Sequence, residues 1–315
     1  MKIIPRKRYY IVKTDKGTFY LKRIDYNTSQ ILFIHNVKEY LVYRGFKNID
    51  RYIMAGKIPY VEHDKDIYTM TKWIKGRKYD INNSSELKKL AIALARFHNA
   101  SKGYIPMKGI KCISNIGRLQ EDYLEKCQDY IYIKSLVKMR TIKSKIDDLY
   151  LNNVNKLYDM GIEAVKMLQK NGYFELCNNA IKEKSLCHNN YNSNNIIIDK
   201  NGEVNILNFD NCKFELRCYD IANFIIDVME RLNWDFDKAL NILKAYDYVG
   251  NLEEIEYKLM ASFLQFPKDI WNIATKYYYE EYDFHKDKYY NKLKSKIEKL
   301  PYKVEFLNKY KNEFL

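Results

Sequence analysis

The chain has 315 residues, 47% of them hydrophobic and 15% aromatic, which excludes general disorder and allows one large domain or two lobes. Its formal charge of +14 admits nucleic acid, anionic polymers or phosphorylated ligands as partners. Because the lysines are spread along the chain rather than gathered in one block, we attribute most of this charge to an AT-rich coding composition.

The first quarter of the chain predicts a small sheet with one helix. A turn ending at Gly17 joins two β-rich runs, and Lys22 falls on the second run. Asn27 and Ser29 are alternative caps for the helix that follows, and Gly45 is a typical residue to end it. The predicted elements are a hairpin over 9–24, a helix over 30–44 and strands at 60–62 and 67–73.

The remainder predicts helices interrupted by one hairpin. Beyond residue 84, apolar residues recur at the 3.6-residue period of helices. The exception lies within 185–220, where apolar runs flank Asn201-Gly202, a strong hairpin signal. The predicted strands are 196–198 and 204–207. The predicted helices are one starting at 84, two or three within 119–171, and further ones over 175–184, 219–232, 236–246, 252–274 with a break near Pro267, and 289–310.

Polar side chains gather at the open end of this hairpin. His188, Asn190 and Asn195 precede its first strand, and Asn208 and Asp210 follow its second. The spacing from residue 188 to 195 matches the kinase catalytic-loop pattern H-x-D-x-x-x-x-N, with asparagine in place of the aspartate. In that design the aspartate orients or accepts the proton of the attacking hydroxyl, and the final asparagine holds Mg²⁺. Asn208 stands where a metal-binding aspartate is expected.

Two residues of the first quarter are candidates for contacts with a nucleotide. A lysine that points inward from a sheet above a cleft can bind phosphates, so Lys22 is one candidate, with an exposed strand lysine as the alternative. Glu39, on the predicted helix, is placed to form an ion pair with Lys22, with a solvent-facing glutamate as the alternative. The first hairpin contains only Gly17, so it is not a glycine-rich phosphate loop.

The segment 185–220 resembles the aminoglycoside-phosphotransferase and choline-kinase branch of the protein-kinase-like fold. It resembles more closely the CotS-type spore coat proteins of endospore-forming bacteria. The resemblance implies a two-lobed α+β fold, with a small β-rich lobe over 1–75, a mainly helical lobe over 76–315, a hinge near 71–76 and deposition in the spore coat. Other stretches that share the resemblance, which runs from about residue 8 to residue 275, are 23–46, 68–77, 94–104 and 264–271 (LQFPKDIW).

The resemblance also implies a role for each polar residue. His188 is the structural histidine of the catalytic loop, and Asp220 is the acid that ties this loop to the next helix. Asn190 replaces the catalytic aspartate and Asn208 the first metal-binding aspartate, whereas the metal-binding Asn195 is retained. The implied nucleotide-binding set is Lys22, Glu39, Met70 and Lys72, and the implied metal-binding set is Asn195, Asn208 and Asp210.

The two replacements predict impaired catalysis. A carboxamide is neutral and cannot take a proton from a hydroxyl, and Mg²⁺ prefers charged oxygen ligands. Asp210 shares a face with Asn208 in an extended chain and is a possible substitute ligand, but we favour its interpretation as the second acid of an Asp-Phe-Asp signature. The resemblance allows ATP and Mg²⁺ as cofactors, and the sequence makes neither certain.

Two further features concern where the protein is made. Its six cysteines form no CxxC pair and no zinc-like spacing, which predicts reduced thiols in a cytosolic protein. The start of the chain lacks the apolar segment of a signal peptide, and no apolar run has the length of a membrane span. We therefore expect no signal peptide, no membrane span and synthesis in the mother-cell cytoplasm.

The sequence leaves three functional hypotheses open. The first is a catalytically impaired, kinase-like spore coat protein with a structural or assembly role and other coat proteins as partners. The second is an active phosphotransferase that uses ATP and Mg²⁺ on a small molecule or a protein. The third is a module that binds an anionic ligand or nucleic acid. Asn190 and Asn208 favour the first over the second, and the scattered lysines argue against nucleic acid.

Overall fold

The computed structural model describes residues 1–6, 9–279 and 286–315. These residues form two compact units, each assembled from three stretches of the chain. The lobe boundary predicted at residue 75 stays a prediction. The first unit consists of Met1–Ser114, Ala180–Ile221 and Asn241–Asn251, and the second of Asn115–Asn179, Ala222–Leu240 and Leu252–Leu315.

An antiparallel five-stranded sheet, in the order β1-β2-β3-β5-β4, belongs to the first unit. Both strand pairs predicted in the first quarter are confirmed, and Lys22 lies on β3 as expected. The edge strand β1 was not predicted, because its KIIP sequence is short and ends in proline, which is tolerated at a sheet edge. The strands are β1 (Lys2–Pro5), β2 (Tyr9–Thr14), β3 (Gly17–Ile24), β4 (Val61–His63) and β5 (Asp66–Lys72).

Two helices of the first unit follow their predicted boundaries. Helix α1 (Thr28–Tyr43) is capped by Asn27, whose side chain accepts a hydrogen bond from the backbone N–H of Gln30. Helix α2 (Ser84–Ser101) is capped by Asn83 in the same way. Gly45 follows α1 with a φ of +89°, a left-handed conformation in which glycine avoids a steric penalty.

The central hairpin is confirmed and has a third strand. Strands β8 (Ile196–Asp199) and β9 (Val204–Ile206) pair as predicted, and β6 (Gly76–Arg77) pairs with the outer edge of β8. Glycine is required at position 76, because a Cβ there would overlap the carbonyl oxygen of Ile198. Two short strands, β7 (Leu186–Cys187) and β10 (Lys213–Phe214), pair separately.

Long helices make up most of the remaining chain, which with the small sheet gives an α+β fold. The predicted break near Pro267 is confirmed. The single helix predicted over 289–310 is wrong, because a new helix begins at Leu300 with Pro301 in its first turn, and proline lacks the N–H that would continue the old helix. The helices are α3 (Leu119–Met139), α4 (Lys145–Lys170), α5 (Tyr173–Glu183), α6 (Arg217–Met229), α7 (Phe236–Gly250), α8 (Glu254–Gln265), α9 (Lys268–Tyr279), α10 (Lys286–Glu298) and α11 (Leu300–Phe314). Among the residues that the structure describes, no helix combines the length and apolar character needed to cross a membrane.

Replacing Gly76 by alanine tests the close approach of β6 to β8. Since the added methyl group would meet backbone, which cannot rotate away, we expect Gly76→Ala to lower the free energy of unfolding by roughly 3 kcal/mol. Gly45→Ala is the control, because open space surrounds that position and only its positive φ is unfavourable, at roughly 1 kcal/mol. Urea titrations of both variants measure the difference. Equal losses would show that β6 can move away from β8 at little cost.

Candidate functional site

The loop that starts at His188 is held by a buried carboxylate. Asp220, at the start of α6, has no exposed surface and accepts hydrogen bonds from the backbone N–H groups of His188 (2.7 Å) and Asn189 (2.9 Å). The Nε2 atom of His98 lies 3.2 Å from the same carboxylate. Burial opposes ionisation, but these donors and the His98 ring hold the pKa of Asp220 below its ordinary value. Asp220 therefore stays charged and fixes the loop.

The His188 ring connects the loop to the hairpin. Its Nε2 atom lies 3.0 Å from the carbonyl oxygen of Leu207, so this nitrogen carries the proton and donates it. Aromatic rings of Phe97, Tyr191 and Phe209 meet the imidazole edge to face. Burial lowers the pKa of His188, so the ring stays neutral. A neutral, fully enclosed histidine is suited to holding the loop and not to exchanging protons with a ligand.

Three asparagines of the predicted site hydrogen-bond to one another. The Nδ2 group of Asn195 donates to the backbone carbonyl of Asn190 (2.8 Å), and the Nδ2 group of Asn208 donates to Oδ1 of Asn195 (3.2 Å). The Oδ1 atom of Asn190 accepts a hydrogen bond from Asn192 (2.6 Å). Asn208 has φ +63° and ψ +73°, a left-handed conformation that asparagine tolerates better than most residues. Asn190, Asn195 and Asn208 are thus joined to one another by hydrogen bonds between uncharged groups.

Lys22 reaches this network from the sheet. Its ammonium group donates to Oδ1 of Asn208 (3.2 Å) and forms an ion pair with Asp210. The hydroxyl of Tyr26 donates to the other carboxylate oxygen of Asp210 (2.9 Å), and Gln30 donates to the Asp210 carbonyl (3.0 Å). The structure therefore brings Lys22 together with two of the three residues predicted to hold a metal, and both oxygens of the single carboxylate already have partners.

Three other predicted nucleotide-binding residues lie elsewhere. Glu39 does not pair with Lys22, since its carboxylate accepts two hydrogen bonds from the guanidinium of Arg51, the shorter at 2.5 Å. Lys22 pairs directly with Thr69 across the sheet, and side chains alternate between the faces of a strand. Met70 and Lys72 therefore lie on the opposite face from Lys22, and their assignment to nucleotide binding stays a prediction. The buried Thr69 and Thr71 share the face of Lys22 instead.

The sequence reasoning missed a buried ion pair beneath the site. Lys38 on α1 is only 1% exposed, and its ammonium lies 2.9 Å from a carboxylate oxygen of Asp50 and 4.0 Å from the centre of the Tyr52 ring. The other oxygen of Asp50 accepts a hydrogen bond from the backbone N–H of Asn208 (3.0 Å). A signal was available, because Lys38 continues the apolar stripe of α1 set by Ile31, Ile34 and Leu41, where a charged residue needs a partner.

The side-chain oxygens of Asn195, Asn208 and Asp210 can be compared with the ligands that Mg²⁺ requires. Magnesium takes octahedral oxygen coordination and prefers carboxylate or phosphate oxygens. Asp210 supplies the single carboxylate of the predicted metal set, and it is neutralised by Lys22 and bound by Tyr26. The amide oxygens of Asn195 and Asn208 also accept hydrogen bonds. In this arrangement the predicted residues do not fit a protein-held magnesium ion.

Comparison with known proteins places the chain in a family. The family model described as "Spore coat putative kinase YutH" matches residues 2–310. The chain belongs to this family. It is also similar to Spore coat protein S of Bacillus subtilis (strain 168), with 24% identity over 290 residues that cover 90% of this chain and 81% of that protein. The spore coat family predicted from the sequence is confirmed.

Solved structures show the same fold. An aminoglycoside phosphotransferase from Alicyclobacillus acidocaldarius superposes with a TM-score of 0.87 at 18% identity, covering 100% of this chain and 92% of that one. Spectinomycin phosphotransferase in its AMP-bound complex gives a TM-score of 0.67 at 11% identity, covering 95% of this chain and 90% of the other. The kinase-like α+β fold is confirmed, and at these identities the likeness extends to the fold alone.

The buried pair of Lys38 and Asp50 can be tested by removing one charge. We expect Lys38→Met to lower the free energy of unfolding by roughly 3–5 kcal/mol, because Asp50 is left charged without its partner. The double variant Lys38→Met/Asp50→Asn should lose less than the sum of the single changes. The neighbouring Glu39→Gln is the matched control, since its pair with Arg51 is half exposed and worth well under 1 kcal/mol. Denaturant titration gives the values, and additive losses would contradict the coupling.

Proposed function

We propose that this chain is a catalytically impaired kinase-like protein of the spore coat, with a structural or assembly role. The observation that carries the proposal is the neutral hydrogen-bond network of Asn190, Asn195 and Asn208. This network occupies the positions of the proton acceptor and of the metal ligands in the kinase pattern. A site that keeps its backbone support but carries amides at these positions is suited to holding a shape and poorly suited to phosphoryl transfer.

The missing proton acceptor has a defined chemical consequence. A carboxamide does not titrate near neutral pH, so Asn190 cannot accept the proton of an attacking hydroxyl. Loss of a general base lowers a rate on the order of 10²–10⁴-fold. The Oδ1 atom of Asn190 is moreover engaged by Asn192. No other described side chain stands in for the base in this network, since His188 is buried, neutral and turned to Leu207.

Family membership supports the location and partners that we propose. The chain matches the spore coat family over residues 2–310 and resembles Spore coat protein S over most of its length. We therefore infer that it is made in the mother-cell cytoplasm, is deposited in the coat and contacts other coat proteins. The kinase-like fold then provides the surface for those contacts.

A second candidate is an active phosphotransferase with an altered site, and one observation favours it. Asp210 keeps a carboxylate beside Lys22, so phosphate groups that bind Lys22 would release Asp210 for a metal ion. Phosphoryl transfer depends strongly on metal and positioning, which leaves room for a slow reaction without a base. Nucleotide binding separates this candidate from the first.

Placing aspartate at positions 190 and 208 tests the first candidate. We expect Asn190→Asp/Asn208→Asp to gain Mg²⁺-dependent binding of ATP, measured by calorimetry, because two negative charges return to the site. The wild type should show no Mg²⁺-dependent ATP turnover above background. Asn201→Asp is the matched control, because it adds a negative charge at an exposed position in the turn of the same hairpin. Turnover by the wild type at ordinary kinase rates, on the order of 1–100 s⁻¹, would overturn the proposal.

The location is tested separately with spores. We expect the protein to be absent from vegetative cells and to be extracted with the coat fraction of purified spores. Immunoblots of both fractions, with a vegetative cytoplasmic enzyme as the reference for contamination, provide the measurement. Abundance in vegetative cells together with absence from spores would contradict the structural role.

A further inference from the structure

A cavity of about 210 Å³ lies wholly within the second unit, and none of the functions above uses it. The stretch LQFPKDIW, at the end of α8 and the start of α9, forms one of its walls. Much of the lining is apolar, and ionisable side chains converge on it, which is the usual character of a small-molecule site. The apolar lining residues are Ile226, Trp234, Phe266, Pro267, Ile270 and Leu300.

Several charged side chains line this cavity. Two carboxylates, of Glu230 and Asp269, face five cationic side chains. Lys296 takes up both carboxylates, since its ammonium pairs with Glu230 and lies 3.0 Å from Asp269. The cationic lining residues are Arg231, Lys268, Lys296, Lys299 and Lys303. Arg231 pairs with Asp227 (2.6 Å), so the cations that matter for a ligand are Lys299 and Lys303.

Lys303 on α11 is the most exceptional of these cations. It is 7% exposed, and its ammonium donates to the carbonyl oxygen of Phe266 (3.3 Å) and lies 5.1 Å from the centre of the Trp234 ring. Within the described ranges, no carboxylate lies within 4.0 Å of it. Burial lowers its pKa to about 8. A buried ammonium without an anionic partner is unfavourable, and an anion in the cavity would remove that penalty.

Lys299, which is half-buried, is a second lining cation that donates to a neutral oxygen. Its ammonium donates to the backbone carbonyl of Glu230 (2.7 Å), and in the described part of the chain it too has no carboxylate at ion-pair distance. Neutral carbonyl oxygens thus take one donor from each of the two lysines. An ammonium group has three N–H donors, so both lysines keep donors for a ligand.

We propose that this cavity binds a small organic oxyanion, a carboxylate or a phosphate monoester, joined to a flat apolar group. Lys303 and Lys299 would hold the oxyanion through charge-assisted hydrogen bonds, and Trp234 and Phe266 would contact the apolar part. The volume admits a molecule of about one substituted ring. Glu230 and Asp269 both pair with Lys296.

Calorimetry with simple probes tests this proposal on the full chain. We expect phenyl phosphate or benzoate to bind with a Kd on the order of 1 mM or tighter, and the stronger of the two identifies the oxyanion. Benzyl alcohol, which has the ring without the charge, should not bind. Lys303→Met should weaken binding roughly tenfold or more, because a charge-assisted hydrogen bond is lost while an apolar side chain of similar length fills the buried site.

Two matched variants keep this test decisive. Lys309→Met removes a lysine from the exposed face of α11, where it pairs with Glu305, and should leave probe binding unchanged. Lys299→Met, at a half-buried position, should weaken binding as well and replaces Lys303→Met if that variant fails to fold. Absence of binding by either anionic probe, equal binding of benzyl alcohol, or wild-type affinity in the Lys299 variant would overturn the proposal.

Discussion

The predicted site depends on the hydrogen bonds that the carboxylate of Asp220 accepts. This carboxylate lies in the interior without exposed surface, and its charge is balanced by oriented N–H donors and a histidine ring instead of a cation. A buried carboxylate that loses one of its donors is energetically unfavourable. The Asp220 carboxylate therefore holds the backbone at His188 and Asn189 in one conformation. That conformation includes a left-handed residue at 189. The loop geometry is thus maintained by backbone contacts that do not require a catalytic side chain at 190.

This separation means that the loop can keep its shape whichever residue stands at position 190. Asparagine has nearly the size of aspartate, so Asn190 and Asn208 fill the same space while removing two negative charges. Among the described residues, Lys22 forms its ion pair with Asp210, and its ammonium also donates to the amide oxygen of Asn208. The ammonium of Lys22 therefore balances the charge of Asp210.

Local signals made much of the fold and the loop predictable. Asn201-Gly202 marked the hairpin, Asn27 and Gly45 marked the ends of α1, and the spacing from His188 to Asn195 marked the loop. What could not be predicted depends on register and on distant partners. The pairing of Lys22 with Thr69, which turns Met70 and Lys72 to the other face, follows from the strand alignment and not from either strand alone. The two-residue strand β6 is likewise too short to have a pattern of its own.

Two buried lysines, one in each unit, show why a lysine on an apolar helix face is informative. Lys38 has a carboxylate partner in Asp50 and a ring contact with Tyr52, so its charge is compensated inside the protein. Lys303 has a comparable ring contact with Trp234 but a carbonyl oxygen in place of the carboxylate. Burying an ammonium is unfavourable in both places, yet the compensation is complete in the first alone. The first lysine is therefore structural, whereas the second has no carboxylate at ion-pair distance among the described residues and is the one at which we propose that a ligand binds.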